Sequence, residues 1–237
     1  MKILFAALLI VASLMINQPE SLAWDFKIML LDLSLSVSEK GEDSGIARNV
    51  SKVEKILGEA GKADHILVLG FGRRTSVILL DAQMPSQAGP MNSFLKSTKQ
   101  AAIRKFRDNL SSKVKEVDRT MTDVHGAILR GAATFEEKGQ NAKAKNLFLF
   151  SDMEDNTNFR ITMKKLKVPG SHKLLWNTAK ISLWPNLQGV SINVFCPRED
   201  HEDFTEADNQ VAFRELRQLW QIYFKRCSGE LSGFEAI

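Results

Sequence analysis

Cysteine and histidine are scarce in this chain. Its 237 residues hold two cysteines, Cys196 and Cys227, and four histidines. The cysteine spacing carries no metal signature, and the histidines are scattered singly. Neither Gly-x-Ser-x-Gly nor His-Glu-x-x-His occurs, so the sequence shows no nucleophile elbow and no zinc-protease helix. The Gly70-x-Gly72 pair lacks the further glycine and the following helix of a dinucleotide site. No internal repeat or low-complexity tract is present. The densest basic stretch, Arg104-Lys105-Phe106-Arg107, falls in a helical pattern and has no interleaved aromatics. That reads as a solvated helix face and sets nucleic acid aside.

No apolar run reaches the roughly 20 residues that a membrane-spanning helix needs. The nearest is Ile3 to Ile16, preceded by Lys2 and broken by Asn17-Gln18-Pro19-Glu20. Ser21-Leu22-Ala23 then supplies a small-x-small pattern before Trp24. These are the parts of a secretory signal peptide cut after Ala23, with a retained anchor as the rival. Residues 1–23 are thus expected to be removed and residues 24–237 to form one domain, periplasmic or secreted, with no stable membrane span. The formal charge of +4 survives the cut, which removes Lys2 and Glu20.

What is abundant is the alternation of strands and helices. Asp25 to Leu33 is apolar on both faces, as in a strand buried within a parallel sheet. Asp43 or Ser44 can cap a helix through Ile46, Val50, Val53 and Leu57. His65–Phe71 and Ser76–Leu80 are strands whose short connection demands an antiparallel hairpin. Long amphipathic helices are expected over 96–117, from after Thr122 to about Lys138, and over 209–225. Asn146–Phe150 and Val190–Phe195 complete five strands, while 156–187 shows no clear period. The expected fold is α/β: a three-layer α/β/α sandwich around a mostly parallel sheet with one antiparallel edge strand.

Ligands bind such sheets at the carboxyl ends of the strands. There the first strand ends in Asp32-Leu33-Ser34-Leu35-Ser36, whose polar side chains alternate onto one side of an extended backbone. Thr122 maps to the same edge at a helix start, and Asp152 to the same edge after the fourth strand. A carboxylate and hydroxyls converging at a strand end suit a hard divalent cation. The bland alternative is Asp and Ser hydrogen-bonded to the turn backbone.

With these segments in place the chain resembles the von Willebrand factor type A (VWA) domain from Asp25 to about Gly229. Asp32, Ser34 and Ser36 match the Asp-x-Ser-x-Ser element of its metal-ion-dependent adhesion site. Thr122 matches the single threonine, with Ala127-Ile128 following at the family's spacing, and Asp152 matches the second aspartate. The family usually has Thr-Asp-Gly where this chain reads Ser151-Asp152-Met153, and losing the glycine constrains that turn. The resemblance implies Mg²⁺ (or Mn²⁺) held by Asp32, Ser34, Ser36, Thr122 and Asp152, with one position left for an Asp or Glu of a partner protein.

The expected function is therefore a metal-dependent protein-binding module for adhesion or assembly, not an enzyme. A scaffold subunit with a purely structural metal and a metal-dependent hydrolase are the alternatives. His125 reads as a solvated or core helix residue rather than a partner contact. Glu154 and Asp155 read as solvated loop residues rather than a second ion site. Cys196 and Cys227 are expected not to pair, because about 17 helical residues, rising roughly 25 Å, separate the two edges of the sheet.

Overall fold

The structure, a computed structural model, describes residues 23–35, 37, 44–86, 93–197 and 204–237. The expected signal segment, residues 1–22 of it, lies outside the described residues, as does Ser36. No described helix is long and apolar enough to cross a membrane.

Six strands form one sheet: β1 (Asp25–Asp32), β2 (His65–Phe71), β3 (Ser76–Gln83), β4 (Ala144–Phe150), β5 (Val190–Cys196) and β6 (Glu230–Ala236). Their order is β3-β2-β1-β4-β5-β6. β3 runs antiparallel to β2, and the other neighbours are parallel. This is the mostly parallel sheet with an antiparallel edge that the pattern of the sequence calls for. The six described α-helices are α1 (Gly45–Gly58), α2 (Ser93–Lys113), α3 (Val124–Lys138), α4 (Met163–Leu166), α5 (Ser171–Thr178) and α6 (Glu206–Arg226).

β1 is apolar on both faces because it feeds two cores. Phe26, Ile28 and Leu30 pack with α3 and α6. Met29, Leu31 and Leu33 pack with Val53 and Leu57 of α1 and Phe106 of α2. Burying the strand on both sides makes its register hard to slip, since a one-residue shift would exchange the two sets of side chains. Register in turn levels the loops. Asp32 pairs with Phe71, and Leu31 pairs with Phe150, so Ser151 comes level with Asp32.

Two parts of the chain escaped the sequence pattern. β6 lies beyond the last expected helix and adds a sixth, edge strand beside β5. Its sequence ELSGFEA buries one side chain, Phe234, so it shows little apolar alternation. Likewise α4 and α5 occupy the stretch that shows no clear period. α6 begins earlier than expected because Thr205 and Asp208 form a capping box: the Thr205 hydroxyl accepts from Asp208 N, and the Asp208 carboxylate accepts from Thr205 N.

Cys196 ends β5, while the Cys227 carbonyl accepts from Leu187 N, ahead of that strand. Both are buried free thiols. At 3.3 Å per residue the strand holds them roughly 20 Å apart, well beyond disulfide reach.

Candidate functional site

Three loops meet at the carboxyl edge of the sheet and are tied to one another by named bonds. Leu35 N donates to Arg119 O at 3.0 Å. The Arg119 Nε returns a bond to Leu33 O at 2.6 Å. Asn156 N donates to Thr122 O at 3.0 Å, and Ser151 Oγ donates to Asp32 Oδ2 at 2.6 Å. These ties bring Asp32, Ser34, Thr122 and Asp152 to one edge, as the sequence implied.

Asp32 is completely buried, at 0% exposure. Its Oδ1 accepts from Ser34 N at 2.9 Å, closing a turn that starts the loop. Burial pushes its carboxyl well above the usual range, and the nearby Asp152 carboxylate pushes it further; bonds from Ser151 and Ser34 only partly offset this. Thr122 is also at 0% exposure, and its Oγ1 has no hydrogen-bond partner among the described residues. A buried hydroxyl left unpaired costs about 1–3 kcal/mol, so such groups are rare unless a ligand completes them. Two carboxylates with a repulsion between them and an orphaned hydroxyl form a donor set that a hard cation would satisfy. That set fits a divalent ion held by mixed carboxylates and hydroxyls. Among the described residues no group of three or more His, Cys, Asp or Glu could hold a metal, so hydroxyl ligands are indispensable to that fit.

Ser151 and Asp155 are the members that motif reading passed over. Ser151 is buried; besides bonding Asp32 it accepts from Met153 N at 3.0 Å. Asp155 is fully buried rather than solvated. Its Oδ2 accepts from His125 N, and its Oδ1 accepts from the backbone of Thr157, Asn158 and Phe159 and from Thr157 Oγ1. It is the organiser of the loop after β4. Asp-x-Thr-Asn in the sequence is a weak signal for such a turn. Asp123 caps α3 by accepting from Gly126 N at 2.9 Å. A side chain at Gly126 would meet that carboxylate at 2.4 Å, so glycine lets the cap fold onto the helix.

Met153 stands where the resembled motif has glycine, and the backbone there keeps the glycine conformation. Its φ is +62°, in the left-handed region, at a cost of about 1–2 kcal/mol for a residue with a side chain. Three features hold it there. The side chain is buried in the core, the amide donates to Ser151, and the carbonyl accepts from Trp220 Nε1 at 3.1 Å.

His125 is a core residue, the second of α3. Its Nδ1 and the Tyr223 hydroxyl lie 2.7 Å apart, and burial lowers the imidazole's proton affinity, against an opposing pull from Asp155 and Asp123. It therefore supports the loop from beneath.

No protein-family model matches the sequence. No curated protein matches it either. Solved structures similar to it include BatB, a conserved hypothetical protein from Bacteroides thetaiotaomicron, at 10% identity over 91% of each chain and a TM-score of 0.48. An aerotolerance-related membrane protein from Bacteroides fragilis is 14% identical over 91% of this chain and 92% of its own, with a TM-score of 0.43. The VWA domain of SpRpn10 is 10% identical over 89% of this chain and 87% of its own, at 0.45. Likenesses this loose carry no argument about function, and the fold rests on the chain's own strand order and register.

Proposed function

We propose that the chain is a VWA-like protein-interaction module, residues 24–237 forming one domain that follows a cleaved leader and works outside the cytoplasm. Asp32, Ser34, Ser36, Thr122 and Asp152 would hold one Mg²⁺ or Mn²⁺. The observation that carries this reading is the orphaned Thr122 hydroxyl, buried at the edge where Asp32 and Asp152 repel one another. When bound, the ion supplies a Lewis-acidic position that an Asp or Glu from a partner protein can occupy.

The chain's own residues prepare that position. Ser151 and Ser34 N fix both oxygens of Asp32, so its carboxylate cannot swing away. Asp155 fixes the start of α3 against the loop after β4, which sets Thr122 relative to Asp152. Leu35, 57% exposed beside these groups, leaves an apolar rim for the partner. His125, beneath these loops, is engaged with the Tyr223 hydroxyl rather than free to act as a general base there.

Calorimetry with Mg²⁺ and Mn²⁺ tests the reading. One ion per chain is expected, with binding lost in Asp32→Ala while the circular dichroism of the fold persists. At 100 times its dissociation constant the ion should stabilise the protein by about 2.7 kcal/mol. Unchanged affinity in Asp32→Ala removes the assignment, and a partner that binds equally well in EDTA favours a scaffold with a structural metal.

A further inference from the structure

Charge along this chain is unevenly spread. Six of its 32 basic residues and none of its 28 acidic ones fall between 156 and 197, so this stretch alone exceeds the whole chain's net +4. The same stretch holds three of the large exposed apolar side chains: Val168 at 65%, Leu174 at 67% and Leu183 at 63%. Exposed aliphatics beside the exposed cations Lys173 and Lys180 mark this stretch as a candidate interaction surface.

The stretch is firmly built. Leu166 and Leu175 anchor α4 and α5 in the core that α6 shares. Gly170 N and His172 N donate to the buried Glu215 Oε2, and His172 Nδ1 lies 2.6 Å from the same oxygen. This clamp turns His172 and Leu175 inward and leaves Lys173, Leu174 and Asn177 outward on α5. Behind α5, Trp176 and Trp184 pack at 5.5 Å and line a groove of about 470 Å³ with Ala179, Ile181 and Ile222. The rim of that groove is cationic: Lys225 lines it, and the Arg226 guanidinium lies 5.4 Å from the Trp184 ring. Tryptophans at mid-depth, aliphatics outward and lysines around them form the layered arrangement that suits the interface of a bilayer.

We propose that this face, residues 160–184 with the end of α6, docks peripherally on an anionic phospholipid surface. The aliphatic tips Val168, Leu174 and Leu183 enter the headgroup boundary, while Lys173, Lys180, Lys225 and Arg226 meet lipid phosphates. The cations favour a negatively charged bilayer, and the aliphatic tips favour a bilayer over a purely polar acidic partner. This docking is independent of the metal site.

Hydrogen exchange of the full chain, with and without vesicles, tests it by locating the contact whatever residues 1–22 do. Vesicles of phosphatidylcholine with phosphatidylglycerol should protect amides in 160–184, and 0.5 M salt should remove most of that protection. Lys173→Gln with Lys180→Gln should weaken the protection about 30-fold, on the order of 1 kcal/mol for each lysine. Leu174→Gln with Leu183→Gln should abolish it, while Asp32→Ala should leave it intact. Absence of protection at 160–184 on anionic vesicles overturns the proposal, as does equal protection on pure phosphatidylcholine. Protection by polyglutamate but not by vesicles overturns it too, and assigns the face to an acidic protein.

Discussion

The carboxyl-edge loops and the aromatic layer around α5 are both buried, yet they are held by opposite means. At the edge, Asp32, Ser151 and Asp155 spend their oxygens on backbone amides and hydroxyls of neighbouring loops. Around α5, Phe159, Trp176, Trp184, Trp220 and Tyr223 pack against one another, mostly tilted or edge-on, with ring centroids 5.0 to 6.2 Å apart. Hydrogen bonds are directional and costly to leave half-made, whereas apolar burial is roughly proportional to area. The edge can therefore fix a few atoms in place, and the aromatic layer can carry a surface of changeable sequence. Met153 belongs to both regions, with its amide on Ser151 and its carbonyl on Trp220.

The contrast breaks if the polar edge proves as tolerant as an apolar core. Its sharpest test is Asp155→Ala, which strips acceptors from His125, Thr157, Asn158 and Phe159 amides at once. Urea unfolding should show a loss of about 3–5 kcal/mol, comparable with emptying a large aromatic site. A loss under 1 kcal/mol would mean that water replaces the carboxylate and that the edge is not rigid.

Glu215→Gln asks whether the same logic reaches the platform through the clamp on α5. The expected loss is about 2 kcal/mol, since the donors keep one poorer acceptor. Its pH dependence is specific. Burial pushes the Glu215 carboxyl up, but the bonds from His172 and Gly170 outweigh it and hold it below its ordinary value of 4.5. A depressed carboxyl contributes stability above that value and loses it as the folded form takes up a proton. The gap between wild type and variant should stay constant just above pH 4.5 and shrink below it. A gap that widens in acid would contradict the clamp.

Met153→Gly probes the residue shared by the two regions, with the smallest expected effect. Glycine relieves about 1–2 kcal/mol of backbone strain but gives up roughly 1.5–3 kcal/mol of side-chain burial. Chemical denaturation should show a net loss of about 1 kcal/mol. A gain would show that the left-handed turn, rather than core packing, limits this loop.

Much of the fold was legible because its signals are local. β1 announces burial on both faces by its unbroken apolar run, and the short link after Phe71 compels β3 to run antiparallel. Ser44 was readable as a cap, and its hydroxyl oxygen accepts from Ala47 N. Asp32, Ser34, Thr122 and Asp152 could be placed on one edge because parallel strands must end there together. β6, α4 and α5 were not legible, since an edge strand with one buried side chain and helices of four and eight residues leave too few periodic positions.

The sequence by itself determined the alternation of strands and helices, the polar edge and the separation of the two cysteines, all consequences of period and chain length. Tertiary structure alone decided that Ser151, level with Asp32 by register, becomes its hydrogen-bond donor, and that Asp155 turns inward to gather amides from loop and helix. It also decided that Met153 holds a glycine's conformation. The reason is physical: each of these depends on atoms far apart in the chain, whose meeting no local spacing encodes and whose bonds form only once the sheet has set its register.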